Sequence, residues 1–108
     1  LAHFCNTLAV EDISLLKTDT EGFDLDVLQG AESLLSAGRV FLVLVEVGFS
    51  DQDAGHTSFS AVRQLLEDFD VIGFYDQGSD ANSSGLDRAD VLFIHRVLAG
   101  RHLPRRWA

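Results

Sequence analysis

The chain has 108 residues, 46% hydrophobic and 23% charged, enough for one packed core and too short for two ordinary domains. All 17 acids lie at or before Asp90 against Lys17, Arg39, Arg63 and Arg88, so residues 1–90 carry −13, while four arginines give residues 91–108 +4. Phosphate recognition needs clustered Lys/Arg, so nucleic acid is not an expected partner of the acidic body. The longest apolar run, residues 40–45, is far below the roughly 20 residues of a membrane-spanning helix, and no basic, apolar leader opens the chain. Lone Cys5 offers neither an internal disulfide nor a Cys/His zinc cluster, so a reducing cytoplasm is the expected setting. The chain starts at Leu1 and contains no methionine, and residues upstream of it are therefore expected.

Residues 13–16 form a short apolar run that stops at the polar cluster Lys17, Thr18, Asp19, Thr20, Glu21, Gly22, the pattern of a buried strand ending in a turn. Leu25, Leu28, Ala31, Leu34 and Leu35 then recur at helical spacing until Gly38, predicting one helix in which Gly30 is tolerated by close packing on a sheet. Residues 40–47, VFLVLVEV, are almost continuously apolar and β-branched, as in a central parallel strand covered on both faces. Gly48 to Gly55 reads as a polar connection. Thr57 or Ser58 caps a second helix with Phe59, Val62, Leu65, Leu66 and Phe69 on one face. Residues 71–75 and 91–97 read as two further strands separated by a polar, Gly/Ser-rich surface loop. The first three strands suit parallel crossovers, and the last, with no helix before it, returns antiparallel. His95 is expected to face solvent from an outer strand.

Ligands of open α/β sheets sit beyond the carboxyl ends of the strands. Lys17, Asp19, Thr20, Glu21 and Gly22 follow the first strand, Glu46 lies near the end of the second, and Asp51, Asp53 and His56 occupy the adjoining connection. Asp19, Glu46, Asp51 and Asp53 lack the pattern of a calcium loop, and no metal is expected. An unpaired charge in an apolar strand is costly, so Glu46 must reach the open strand end or a partner. His56 is either a base at neutral pH or a solvated loop residue.

The stretch LLKTDTEGFDLDVLQGAESLL followed by FLVLVEVG resembles the FkbM-type family of S-adenosylmethionine-dependent methyltransferases, through Lys17, Asp19, Glu21, Gly22, Leu28, Gly30, Ala31 and Glu46. The likeness extends more loosely to ADVLFIHR. It implies an α/β fold, a partial Rossmann-like methyltransferase sheet holding strands four to seven with the last antiparallel, crossover helices between them, and residues 1–108 as the C-terminal part of a class I methyltransferase domain. The family's glycine-rich cofactor loop has no counterpart here, the nine glycines being scattered. The implied function is O-methyl transfer from S-adenosylmethionine to a hydroxyl of a small-molecule or glycan acceptor, with this chain supplying the acceptor side.

Methyl transfer to oxygen needs an aligned acceptor and a group to take its proton. On this resemblance Asp19, Glu46 and His56 are the catalytic candidates and Asp19 and Thr20 the cofactor-side candidates. Lys17, Glu21 and Gly22 shape the turn, Gly22 by allowing a backbone that other residues resist. Asp19 alternatively caps the turn through backbone N–H groups. The competing reading of the whole chain is a noncatalytic α/β interaction module, a degenerate half-domain forming homo-oligomers through the exposed edge of the first strand. A flavodoxin-like nucleotide binder is disfavoured because no phosphate loop is present.

Overall fold

The computed structural model describes residues 1–8, 11–20, 22–50, 55–79, 85 and 87–102. Glu21, Asp51, Asp53, residues 80–84 and 86 of the Gly/Ser-rich loop and residues 103–108 lie outside them. The elements in chain order are α1 (Ala2–Thr7), β1 (Ile13–Thr18), α2 (Asp24–Gln29), α3 (Glu32–Ser36), β2 (Val40–Gly48), β3 (Thr57–Ser58), α4 (Phe59–Leu65), β4 (Phe69–Gly78), β5 (Arg88–His95) and α5 (Arg96–His102).

The sheet runs β1-β2-β5-β4, with two-residue β3 pairing to β2. β1 and β2 are parallel, Ile13 beside Val40 and Thr18 beside Val45, and β3 is parallel to the last two residues of β2, Val47 and Gly48. β5 is antiparallel to both of its neighbours, β2 and β4. β1, β2, β3 and β4 therefore share a direction and β5 opposes them, which gives the mixed α/β sheet of a partial Rossmann-like methyltransferase fold. The carboxyl ends of β1, β2 and β4 and the start of β5 meet along one rim.

The alternation of a strand decides which side chains are buried. Leu16, Val43, Val45, Val47, Val91 and Phe93 share one face by register, and they join Leu28, Leu34, Leu35, Val62 and Leu66 of the helical layer in one core cluster. Full burial of each such side chain contributes about 1.5–3 kcal/mol. Beside them Phe59 lies 5.3 Å from Phe49, 6.1 Å from Phe74 and 6.5 Å from Phe93, centroid to centroid. The opposite face is thinly covered: Leu15 on edge strand β1 is 50% exposed.

Several boundaries differ from the sequence expectation. The single helix over 25–35 is two short helices, because the chain turns at Gly30 and Ala31, where the Ala31 carbonyl accepts from the N–H groups of Leu34 and Leu35. Gly30 is exposed there, and its carbonyl accepts from Ala2 N–H, so its place is a helix junction and not a contact with the sheet. α4 ends at Leu65, which leaves Phe69 to open β4; Ser58 is its cap, accepting from Ala61 N–H at 3.4 Å. β5 begins at Arg88 and ends at His95, since Arg96 and Val97 start α5.

His95 is likewise not on an outer strand. β5 lies between β2 and β4, and His95 is buried, edge-on to Phe69 at 5.1 Å, with Nδ1 accepting from Leu98 N–H at 3.3 Å. It caps the first turn of α5 as a side-chain acceptor. Among the described residues no helix is long and apolar enough to cross a membrane.

Candidate functional site

The rim at the carboxyl ends of β1 and β2 is assembled from four short segments. β1 delivers Lys17 and Thr18, followed by Asp19 and Thr20, and the start of α2 delivers Asp24. β2 delivers Glu46, and the segment entering β3 delivers His56 and Thr57.

Glu46 belongs to the thinly covered face, on which its register partner is Asp90 of β5. Its carboxylate Oε1 lies 2.9 Å from His56 Nε2, and both side chains are partly exposed, at 43% and 28%. The apolar strand thus carries its charge to the open end and gives it an imidazole partner. A carboxylate in this position orients a histidine ring.

The next acids along the same rim come from β5 and β4. Asp90 has its carboxyl raised above the ordinary value of 3.8, by partial burial first, then by a hydrogen bond with Asp76 and the negative charges of Glu46 and Asp76, with Lys17 acting in the lowering direction. Asp76 has φ of 48°, a left-handed backbone uncommon for residues other than glycine, at the irregular stretch where β4 slips register against β5. Sequence reading missed both. Their only sequence signal was an acid at the edge of each apolar run, and neighbourhood with Glu46 depends on strand register.

Asp19 is exposed directly beyond β1, and Thr20 beside it is half-buried. The backbone of this turn is held by Asp24, whose Oδ1 accepts from Thr20 N–H at 3.3 Å while its Oδ2 accepts from Thr57 Oγ1 at 3.3 Å. Asp24 is only 2% exposed. Sequence analysis did not single it out; as an acid in the first turn of α2 it also sits where a helix favours negative charge. Gly22 has φ of +107°, and a Cβ added to it would lie 3.5 Å from the Gly55 carbonyl oxygen, so the turn after β1 lies against the segment that enters β3.

Two hydroxyl oxygens at the end of β1, Thr18 Oγ1 and Thr20 Oγ1, are buried without a hydrogen-bond partner. Buried hydroxyls are normally satisfied. This pair fits a polar ligand seated against the turn. The residues brought together are thus Glu46 with His56, and Asp19 and Thr20 on the neighbouring strand end; Lys17 lies on the face of Glu46, one strand away.

A cavity of about 510 Å³ lined by Asp12, Ile13, Ser14, Arg39, Leu98 and Arg101 among others lies at the other end of the sheet, where β1 begins. None of the rim residues reaches it. Among the described residues no cluster of three or more His, Cys, Asp or Glu is placed to hold a metal ion.

A family model described as Methyltransferase FkbM domain matches residues 1–72, two thirds of the chain, spanning β1, β2, the helices between them, and the Glu46–His56 pair. No curated protein and no solved structure matches the chain significantly.

Proposed function

Because the chain belongs to the FkbM methyltransferase family, we propose that it forms the acceptor side of an S-adenosylmethionine-dependent O-methyltransferase site, acting on a hydroxyl of a small molecule or glycan in the cytoplasm. The observation that carries this reading is the 2.9 Å contact between Glu46 and His56 at the sheet rim. When bound, S-adenosylmethionine would supply an electrophilic sulfonium methyl for transfer to the acceptor oxygen.

Asp19 and Thr20 lie on the cofactor side of the rim, where the unpartnered Thr20 hydroxyl gives a polar ligand a hydrogen-bonding group. Asp19, exposed at the strand end, aligns the acceptor hydroxyl. The Glu46–His56 pair takes up the hydroxyl proton, and the contact between Oε1 and Nε2 holds the charge that proton brings. Lys17 and Gly22 shape the turn that carries Asp19.

The test is a two-dimensional amide titration of the protein with S-adenosylhomocysteine, then with hydroxyl acceptors. Shifts confined to residues 17–24 on cofactor addition, and to Asp19, Glu46 and His56 on acceptor addition, are expected. Shifts at the opposite end of the sheet, or none at millimolar ligand, overturn the placement.

A second, noncatalytic reading draws on a different observation. β1 is an edge strand with half-exposed Leu15 on its thinly covered face. Such an edge is a template for strand pairing, and pairing of two copies along β1 makes the chain a self-associating module.

A further inference from the structure

The segment entering β3 binds in opposite directions with successive residues. His56 meets Glu46 on the thinly covered side of β2, whereas Thr57, buried at 6% exposure, meets Asp24 beneath the helical layer. His56 lies in the bend that leads into β3, one peptide bond before Thr57, so fixing Thr57 on one side limits where the His56 ring can reach on the other. Thr57 is also strapped in place by its parallel pairing with Val47, and Gly55 before it lies against Gly22.

We propose that Asp24 is a positioning residue for His56, acting through Thr57, and that it sets the His56–Glu46 pair and the Asp19–Thr20 turn in one fixed geometry. The inference rests on the catalytic reading of that pair given above. One carboxylate makes both links: Oδ1 accepts from Thr20 N–H and Oδ2 from the Thr57 hydroxyl. A carboxyl group buried to this depth is costly unless donors meet it, so the cost is offset only while the turn after β1 and the entry to β3 stay together. Asp24 touches no reacting atom. Its contribution is to make a move of either segment a move of both.

The experiment compares the protein with its Asp24→Asn and Thr57→Val variants by two-dimensional NMR, following Thr20 amide exchange and the ring nitrogen signals of His56. Asn keeps the shape of Asp but replaces one acceptor oxygen with a donor, and Val keeps the shape of Thr without the hydroxyl. In Asp24→Asn, Thr20 amide exchange is expected to rise roughly tenfold or more, and in both variants the His56 ring signals move toward those of a solvated imidazole. A role in stability alone lowers the melting temperature and leaves the His56 ring signals in place, and that outcome overturns the proposal. Should Asp24→Asn fail to fold, Thr57→Val still decides it, because it leaves the buried carboxylate its backbone donor. Neither readout needs a methyl donor or an acceptor, so a failure here is distinct from failure of the methyltransferase reading.

Discussion

Glu46 and Asp90 stand directly opposite each other on antiparallel β2 and β5. Like charges placed so are destabilising, and partial burial first, then the hydrogen bond with Asp76 and the charge of Glu46, make the folded chain hold the Asp90 proton more tightly than an ordinary carboxyl does. The stability that proton brings is present at low pH and is lost as pH rises from about the ordinary 3.8 through the raised folded value. Asp90→Asn is therefore expected to melt higher than the parent at neutral pH, with the gap closing in acid. Thermal melts across that range check it; an equal gap at every pH contradicts the assignment.

Glu46→Gln separates catalysis from stability. The Glu46–His56 pair is partly exposed, so its loss is expected to cost less than about 1 kcal/mol in denaturant unfolding. If the pair takes the acceptor proton, methyl transfer to a panel of hydroxyl acceptors falls by about 10²–10⁴-fold. A variant retaining full transfer rate would remove Glu46 from the chemistry.

Gly22→Ala tests the turn that carries Asp19. The space beside Gly22 accepts a methyl group at ordinary contact distance, 3.5 Å from the Gly55 carbonyl oxygen, so crowding is not the obstacle. The backbone at φ of +107° is, and about 1–3 kcal/mol of destabilisation is expected from urea titration.

Leu28→Ala removes a fully buried side chain from the core cluster at the end of α2. Its expected cost is about 2–5 kcal/mol, and because α2 also carries Asp24, Thr20 amide exchange should rise with it.

Self-association through β1 has its own test. Leu15→Lys places a charge on the exposed edge strand without touching the rim, and light scattering is expected to show the assembly shift from dimer to monomer. A parent protein that is monomeric at every concentration counts against strand pairing.

The strand over residues 40–47 was legible from its continuous apolar run, and so was the antiparallel return of the last strand, but the cover on both faces that the run implied is not found: the face of β2 carrying Leu42, Leu44 and Glu46 is only partly buried. The helix break at Gly30 was not, because Leu28, Ala31, Leu34 and Leu35 keep a helical spacing across it while the backbone turns. His95 reads as an alternating outer residue until its strand is known to lie between two others. The site was half legible. Glu46 in an apolar strand announces a charge in need of a partner, but Asp24, Asp76 and Asp90 acquire their neighbours only through register and crossover geometry, which single-chain periodicity does not encode.

Among the described residues β4 meets the rest of the sheet through β5 alone. During synthesis, residues 69–78 therefore leave the ribosome with no strand to join, and β2 keeps an open flank until residues 88–95 arrive to pair with both. Closure of the sheet waits on contacts that are distant in sequence, a slow and aggregation-exposed interval. β5 is thus the strand that locks the described sheet, and a ribosome stalled before Arg88 holds a chain in which β2 and β4 still lack a shared neighbour.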